Sequence, residues 1–530
     1  MSFNKRSIIF VYLLILLLGS SFSLAFAQDP SQKKLDSKNL TPVSELRTVL
    51  RQKGVSLPNR PEFNDNRSLQ RLGSKLFFDQ LLSGNRDVAC ASCHHHNFAF
   101  SDGLSLSIGT GSKGFGTKKM ITHKRQLGIR NSIGLSHRFL PEMRTMLWDM
   151  RITQNQDGTI EKPERLKIPE GIDTIQEVQF LDAFRLNQEM KGFKGQKDIF
   201  GDTNRFALVP DTQPRKLFGL IVDRLKNYSR YRKRFRKAYP ETPIEEINIS
   251  HVTNAMLHFL RKATTFLNSP WDKFLKGNDD ALSKNAVKGA LLFYGKANCS
   301  ECHSGNLLSD QQTHNIAVPQ VQPRFDSEGY DYGRYSVTLR EKDRFAFRTP
   351  PLRDVELSRP WMHNGAYKTL RGAVKHHINP EQSLRNYRSE QLAQDIQLPM
   401  KAPLNRSDLQ NLFSRGKIGQ FLATKVKNNQ ATQDFIIKTI SPEIQNVPDL
   451  SDTEIDRIMS FLRSLTSPSL RMIDRKGDVM SKEPLLERLH TRQFPGHASF
   501  AGIHLTTHGK ILDELDIPSV DVRYETMDRN

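Results

Sequence analysis

Apolar residues recur at helical spacing in three places along the chain, with long polar runs between them. Leu69, Leu72 and Leu76 share one face of a helix that begins near Ser68. Val287, Ala290, Leu291 and Tyr294 form a second stripe, and Ile455, Ile458, Met459, Leu462 and Leu465 a third. The third opens with Ser451-Asp452-Thr453-Glu454, an N-cap and capping-box pattern. Residues 215–267 add two helical patterns, including the basic run Arg224–Lys237. Gly109–Gly116 reads as loop, residues 150–210 as insertions around a short core piece, and 381–448 as a long polar insertion. Strand-like alternation is sparse. The prediction is a mainly α-helical fold with long loops and insertions.

The first two stripes run directly into the same motif, Cys90-Ala91-Ser92-Cys93-His94 and Cys299-Ser300-Glu301-Cys302-His303, which together use all 4 cysteines. The spacing has a mechanical reason. Two thiols three positions apart reach the two vinyl groups of one haem, and the histidine that follows is placed under the iron. A thioredoxin-like pair would need a surrounding βαβ pattern, which is missing. A zinc site split between two such distant sets is poorly spaced. Helix-then-motif occurring twice is a duplication of architecture, so two covalently bound haem c groups are expected, one in each of two cytochrome c-type domains, 66–265 and 266–468.

Composition narrows the setting. The chain has 530 residues, 37% of them hydrophobic and 25% charged, a globular balance. Lys and Arg number 78 against 57 Asp and Glu, a formal charge of +21 that favours acidic partners. Lys5 and Arg6 precede the apolar run Ile8–Leu18, and Ala25-Phe26-Ala27 precedes Gln28, the anatomy of a secretory signal peptide over residues 1–27. No other stretch approaches the roughly 20 apolar residues that span a bilayer. The expectation is export to the periplasm, no stable membrane span after cleavage and no nucleic-acid partner. Residues 28–65 read as an arm or a leading helix, and 469–530 as an extension of unread role.

An ordered set of blocks resembles the bacterial di-haem cytochrome c peroxidase superfamily, which includes a MauG-like branch that oxidises tryptophans of a partner protein. The blocks are Leu72–Asp79, Cys90–His94, Ser107–Gly111, Arg130-Asn131, Trp148–Arg151, Asn187–Met190, Ser269–Asp272, Leu292–Gly295, Phe347–Arg353 and Pro360–Gly365. The resemblance implies a peroxidatic N-terminal haem with His94 as proximal ligand. It implies a C-terminal haem, held by His303, that takes in electrons or stores oxidising equivalents. It further implies Glu189 as distal acid/base, Trp148 between the haems, and one calcium ion on Asn131 with the carbonyls of Ser358 and Pro360. His363 corresponds to a residue near the haem edge. Hydrogen peroxide is the implied oxidant. The implied partner is a small redox protein donor or a protein substrate, expected to be acidic.

Two departures stand out. Peroxidases of this superfamily carry Ile-Gly-His-Gly where this chain has Ile108-Gly109-Thr110-Gly111. A threonine hydroxyl is a poor haem-iron ligand, so the first haem should be open, as in the MauG-like branch. His123 and His137 are alternative caps, whereas His95 and His96 are too constrained beside His94. At the second haem, the family's sixth ligand, methionine or tyrosine, falls on His377, seven residues on from Leu370. His376 and Met400 are the alternatives. Bis-histidine ligation implies a lower potential than His/Met. A non-catalytic electron-transfer or sensor cytochrome is the competing function, and it predicts two six-coordinate irons.

Overall fold

The structure, a computed structural model, describes residues 41–60, 66–113, 120–121, 128–321, 330–388, 391, 426–427 and 429–470. The expected signal peptide 1–27, His123, Met400, much of the 381–448 insertion and residues 471–530 lie outside the described residues. No described helix is long and apolar enough to cross a membrane.

The fold is mainly helical. Its principal helices are α1 (Pro42–Gln52), α2 (Arg67–Phe77), α3 (Ile175–Arg185), α4 (Pro214–Lys226), α5 (Ser229–Ala238) and α6 (Ile249–Thr264). These are followed by α7 (Pro270–Leu275), α8 (Lys284–Tyr294), α9 (Leu370–Ile378), α10 (Pro380–Arg385), α11 (Gln430–Ile437) and α12 (Asp452–Ser464). The described strands are two or three residues long and pair in small sheets, the largest joining Thr145–Met146, Ile152–Gln154 and Ile160–Glu161.

Helix α2 starts where the Asn66 side chain accepts hydrogen bonds from the Ser68 and Leu69 amides. Its stripe of Leu69, Leu72 and Leu76 is buried, and the helix packs across α6. The crossing is so close that a Cβ on Gly73 would stand 1.9 Å from the Ala255 carbonyl oxygen. Helix α8 crosses α12 in the same way, and a Cβ on Gly289 would stand 1.9 Å from the Arg457 carbonyl oxygen. The capping box of Ser451 and Glu454 forms at the start of α12. Helix-then-motif is thus matched by a second repeated element, a closing helix laid over a glycine of the opening one.

Two hydrophobic cores follow from these crossings. One collects α2 to α6 around Phe184, Phe218 and Leu225. The other collects α7, α8, α9 and α12 around Trp271, Phe293 and Phe461, and also Leu46 and Leu50 of α1. The stretch 28–65 therefore contains a helix docked on the second core, more than an arm. The 215–267 region holds three helices, not two. The run Arg224–Lys237 breaks at Tyr228, whose extended backbone (φ −96°, ψ 123°) ends α4 and starts α5. Helix α5 buries Tyr231, Phe235 and Ala238 and leaves most of its cationic side chains outward. The flanks of the 381–448 insertion are built in: Leu384 and Ile436 share a small core with Ala317 and Phe345.

Candidate haem pockets and the ground between them

The second motif opens on an apolar cleft of about 1300 Å³, its mouth included, bordered by Cys299, Cys302, His303, His377, Trp148 and His363. The His303 Nδ1–H donates to the Leu308 carbonyl at 3.1 Å, and the His377 Nδ1–H to the Ala373 carbonyl one helical turn back at 2.8 Å. Each ring thereby keeps its Nε2 lone pair for a metal. The ring centroids are 6.3 Å apart. Two metal–imidazole bonds of about 2.0–2.1 Å would span about 4 Å between facing Nε2 atoms, and the two half-rings fill the remainder. Burial, and secondarily the neighbouring His377, lowers His303 to about 4, which keeps it neutral as a ligand must be. His376 is otherwise engaged. Its Nδ1 meets the Tyr367 hydroxyl at 2.8 Å and its Nε2 the Ile316 carbonyl at 2.6 Å. The donor set fits one haem c between His303 and His377.

At the first motif, the His94 Nδ1–H donates to the Phe100 carbonyl at 2.8 Å. Cys93 Sγ lies 3.6 Å from the Ile108 carbonyl, so the 108–111 segment borders the motif. Thr110 is buried there; its hydroxyl donates to the Asn187 carbonyl at 2.9 Å and its amide to the Gln188 carbonyl at 3.1 Å. Gly109 lies so close to that strip that a Cβ would stand 1.7 Å from the Gln188 oxygen. The Asn187–Lys191 strip is a wide π-type turn that carries Glu189. His137, one of the alternative caps, is buried, with Nε2 3.0 Å from Asp354 Oδ2. His95 is buried against the His96 ring, their centroids 4.9 Å apart.

Glu189 is exposed at its surface, with enough protein packed around the carboxyl to disfavour its charge. That crowding raises its carboxyl to about 7; Arg151 and Arg185 pull it down, while Asp182 pushes it up. Its charge is felt at the Cys90 sulfur, which ties the turn to the first motif.

Trp148 is half-buried between the two regions. It borders the second cleft, and its Nε1–H points to the Asn131 carbonyl at 3.4 Å. The Asn131 amide nitrogen meets the carbonyls of Pro360 (3.1 Å) and Met362 (2.8 Å), and its Oδ1 is buried without a hydrogen-bond partner among the described residues. Turning the amide over would gather Oδ1 and two carbonyls, an oxygen set suited to a hard cation. Among the described hydrogen bonds, the second carbonyl at this amide is that of Met362. His363 stacks on Phe347 with centroids 3.5 Å apart, and its Nε2 is 4.0 Å from Asp331 Oδ2. Sequence reasoning missed the carboxylates and guanidiniums around this ground. Arg130, Asp149 and Arg151 stood inside family-like blocks, but Asp331 carried no local signal.

The two Cys-x-x-Cys-His segments thus belong to different cores, in a helical frame repeated along the chain. This is the build of a di-haem c-type protein. Residues 67–280 match the di-haem cytochrome c peroxidase family. The chain is 29% identical over 342 residues to the cytochrome-c peroxidase IdrP2 of Pseudomonas sp. strain SCT, covering 60% of this chain and 75% of that protein. It is 28% identical over 312 residues to the methylamine utilization protein MauG of Methylorubrum extorquens, covering 58% and 67%. A solved MauG-like protein associated with microbial copper homeostasis aligns at 21% identity with a TM-score of 0.49, covering 78% of this chain and 94% of that one. Residues 67–280 are thus similar to the di-haem cytochrome c peroxidase family, and the relatives named are peroxidases and MauG; that family implies two haem c groups and a peroxidase-type oxidoreductase.

Proposed function

We propose that this protein is a periplasmic enzyme that activates hydrogen peroxide at an open haem on Cys90, Cys93 and His94. A second haem, on Cys299, Cys302, His303 and His377, supplies or stores the oxidising equivalents. The observation that carries the reading is the commitment of the Thr110 hydroxyl to Asn187, which leaves the segment where peroxidases carry a capping histidine without a ligand for iron. When bound, the first haem supplies an iron position for peroxide and electrons for O–O cleavage.

The chain's own groups do the rest. Ionised Glu189 takes the proton from the near peroxide oxygen and returns it to the outer oxygen, which departs as water. Over a full reduction, one peroxide takes up two electrons and two protons to give two waters. Trp148 bridges the two pockets for electrons, and His363 shapes the edge of the second. Asn131, with the carbonyls of Pro360 and Met362, would hold one calcium ion in place between them. Residues 1–27 serve as the export signal.

The open first haem and the imidazole His377 favour oxidation of an external or protein substrate in the MauG-like manner. Peroxide reduction with electrons from a small cytochrome is the second reading, favoured by the same outward basic surface of α5, which would steer an acidic donor. The deciding experiment is the absorption and EPR spectrum of the oxidised protein before and after one equivalent of peroxide. One high-spin and one low-spin haem, with the high-spin signal lost on addition, supports the proposal. Two low-spin haems and no response would overturn it in favour of a carrier or sensor.

A further inference from the structure

The Phe347–Arg353 block carries two buried arginines with different fates. Arg353 is neutralised: its Nη1 donates to Asp272 Oδ1 at 2.5 Å, with both side chains at 1% exposure or less. Arg348 is not. It is 1% exposed, its amide donates to the Trp148 carbonyl at 2.8 Å, and its Nε donates to the Leu147 carbonyl at 3.0 Å. Its Nη1 and Nη2 are buried without a hydrogen-bond partner among the described residues. The two carbonyls fix the side chain in place but leave its charge uncompensated. A guanidinium taken out of water without a counter-charge is among the costlier arrangements a protein can hold.

Arg348 borders the second cleft, as do Trp148, Phe347 and His363. The carboxylate on that border, Glu443, faces His314 Nδ1 at 3.5 Å, and the other nitrogen of that ring faces Asp310 at 2.7 Å. The acid of the cleft is therefore engaged with a histidine, not with Arg348. The neighbouring buried cation has the same sign: burial, and after it the charge of Arg348, disfavours the cationic form of Arg138. What the cleft presents is a fixed pair of N–H donors in the fork geometry that matches a carboxylate.

We propose that Arg348 binds a carboxylate inside the second cleft, and that this carboxylate is a propionate of the haem held on Cys299, Cys302, His303 and His377. Haem c carries its propionates on the edge opposite the thioether bonds, and they need such a partner in a cleft bordered mostly by apolar side chains. The proposal rests on that haem occupying the cleft. A cation beside the macrocycle disfavours the oxidised iron, so Arg348 raises the potential of this haem while its two imidazoles lower it.

The test is redox titration of the haem-loaded parent, R348Q, R348M and R348K, with covalent haem counted by mass spectrometry and the low-spin EPR signal recorded for each. In R348Q and R348M the ratio of reduced to oxidised second haem, at a fixed ambient potential, should fall about tenfold. That is the effect of one unit charge across about 10 Å at an effective dielectric of about 20. R348K keeps the charge but loses the bond to Leu147, so it should stay within about threefold of the parent. A merely structural arginine would drop R348K together with the other two. Titrating the parent with acetate at fixed ionic strength separates the sources of the carboxylate. A potential that acetate leaves unmoved supports the propionate; one that moves in the parent and not in R348Q overturns it in favour of a free anion. If the variants fail to load haem, the crystal structure of the loaded parent decides. Nη1 or Nη2 within about 3 Å of a propionate oxygen supports the proposal, and propionates turned away from Arg348 overturn it. Equal ratios in the parent and R348Q, with both haems attached, overturn the role of Arg348 alone. A parent without haem on Cys299 and Cys302 overturns the reading of the second cleft itself.

Discussion

His303 and His377 face each other across the second cleft with ring planes at 52°, each with Nδ1 tied to a carbonyl of its own segment. With a haem on the second motif, the pairing would offer its iron two imidazole nitrogens. Replacing His377 by methionine should therefore raise the reduction potential of that haem alone, on the order of 0.1 V, because a thioether disfavours the oxidised iron relative to imidazole. Redox titration followed at the low-spin bands checks this; movement of the other haem's potential by the same amount would contradict it.

His376 gives the complementary expectation. Both of its nitrogens are engaged inside the protein, so His376→Ala should leave the low-spin spectrum in place. The cost should appear in stability, about 1–3 kcal/mol for the hydrogen-bonding groups left behind on Tyr367 and Ile316. Chemical denaturation with spectral monitoring separates the two effects.

Glu189→Gln should slow peroxide consumption by about 10²-fold or more, with both haems still attached and spectrally normal. The parent enzyme should also lose activity as pH falls through about 7, where the crowded carboxyl takes up its proton and can no longer act as a base. Activity measured across that range, at fixed ionic strength, should show this limb in the parent and not in the variant.

Gly289→Ala should be costly for its size. The added methyl group meets the Arg457 backbone, not a flexible side chain, so α8 and α12 must part. A loss of about 1–3 kcal/mol is expected, read as a lowered denaturation midpoint with an unchanged slope. A neutral outcome would mean that the crossing is looser than the structure has it.

What the sequence disclosed was what is local in the chain. The three apolar stripes, the Ser451 cap and both Cys-x-x-Cys-His motifs each lie within a few turns, and each stripe residue of α2 and α12 is buried as its spacing required. The choice between His376 and His377 was not local. It turns on Tyr367 and Ile316, whose approach depends on tertiary packing. The partner of Thr110 stands 77 positions away and that of Arg130 201 positions away, beyond the reach of any spacing rule. The break in the basic run at Tyr228 was hidden because Arg and Lys on both sides favour helix equally well. The docking of α1 was hidden because Leu46 and Leu50 make too short a stripe to name their partner.

The glycine crossings touch only main-chain atoms at their nearest points, the carbonyl of small Ala255 in one half and that of large, charged Arg457 in the other. Opposing residues there are interchangeable so long as the peptide group stays put. Each half is consequently free to drift in outward chemistry while the distance between its helix axes is preserved, so kinship between the halves survives in shape after it has faded from the letters.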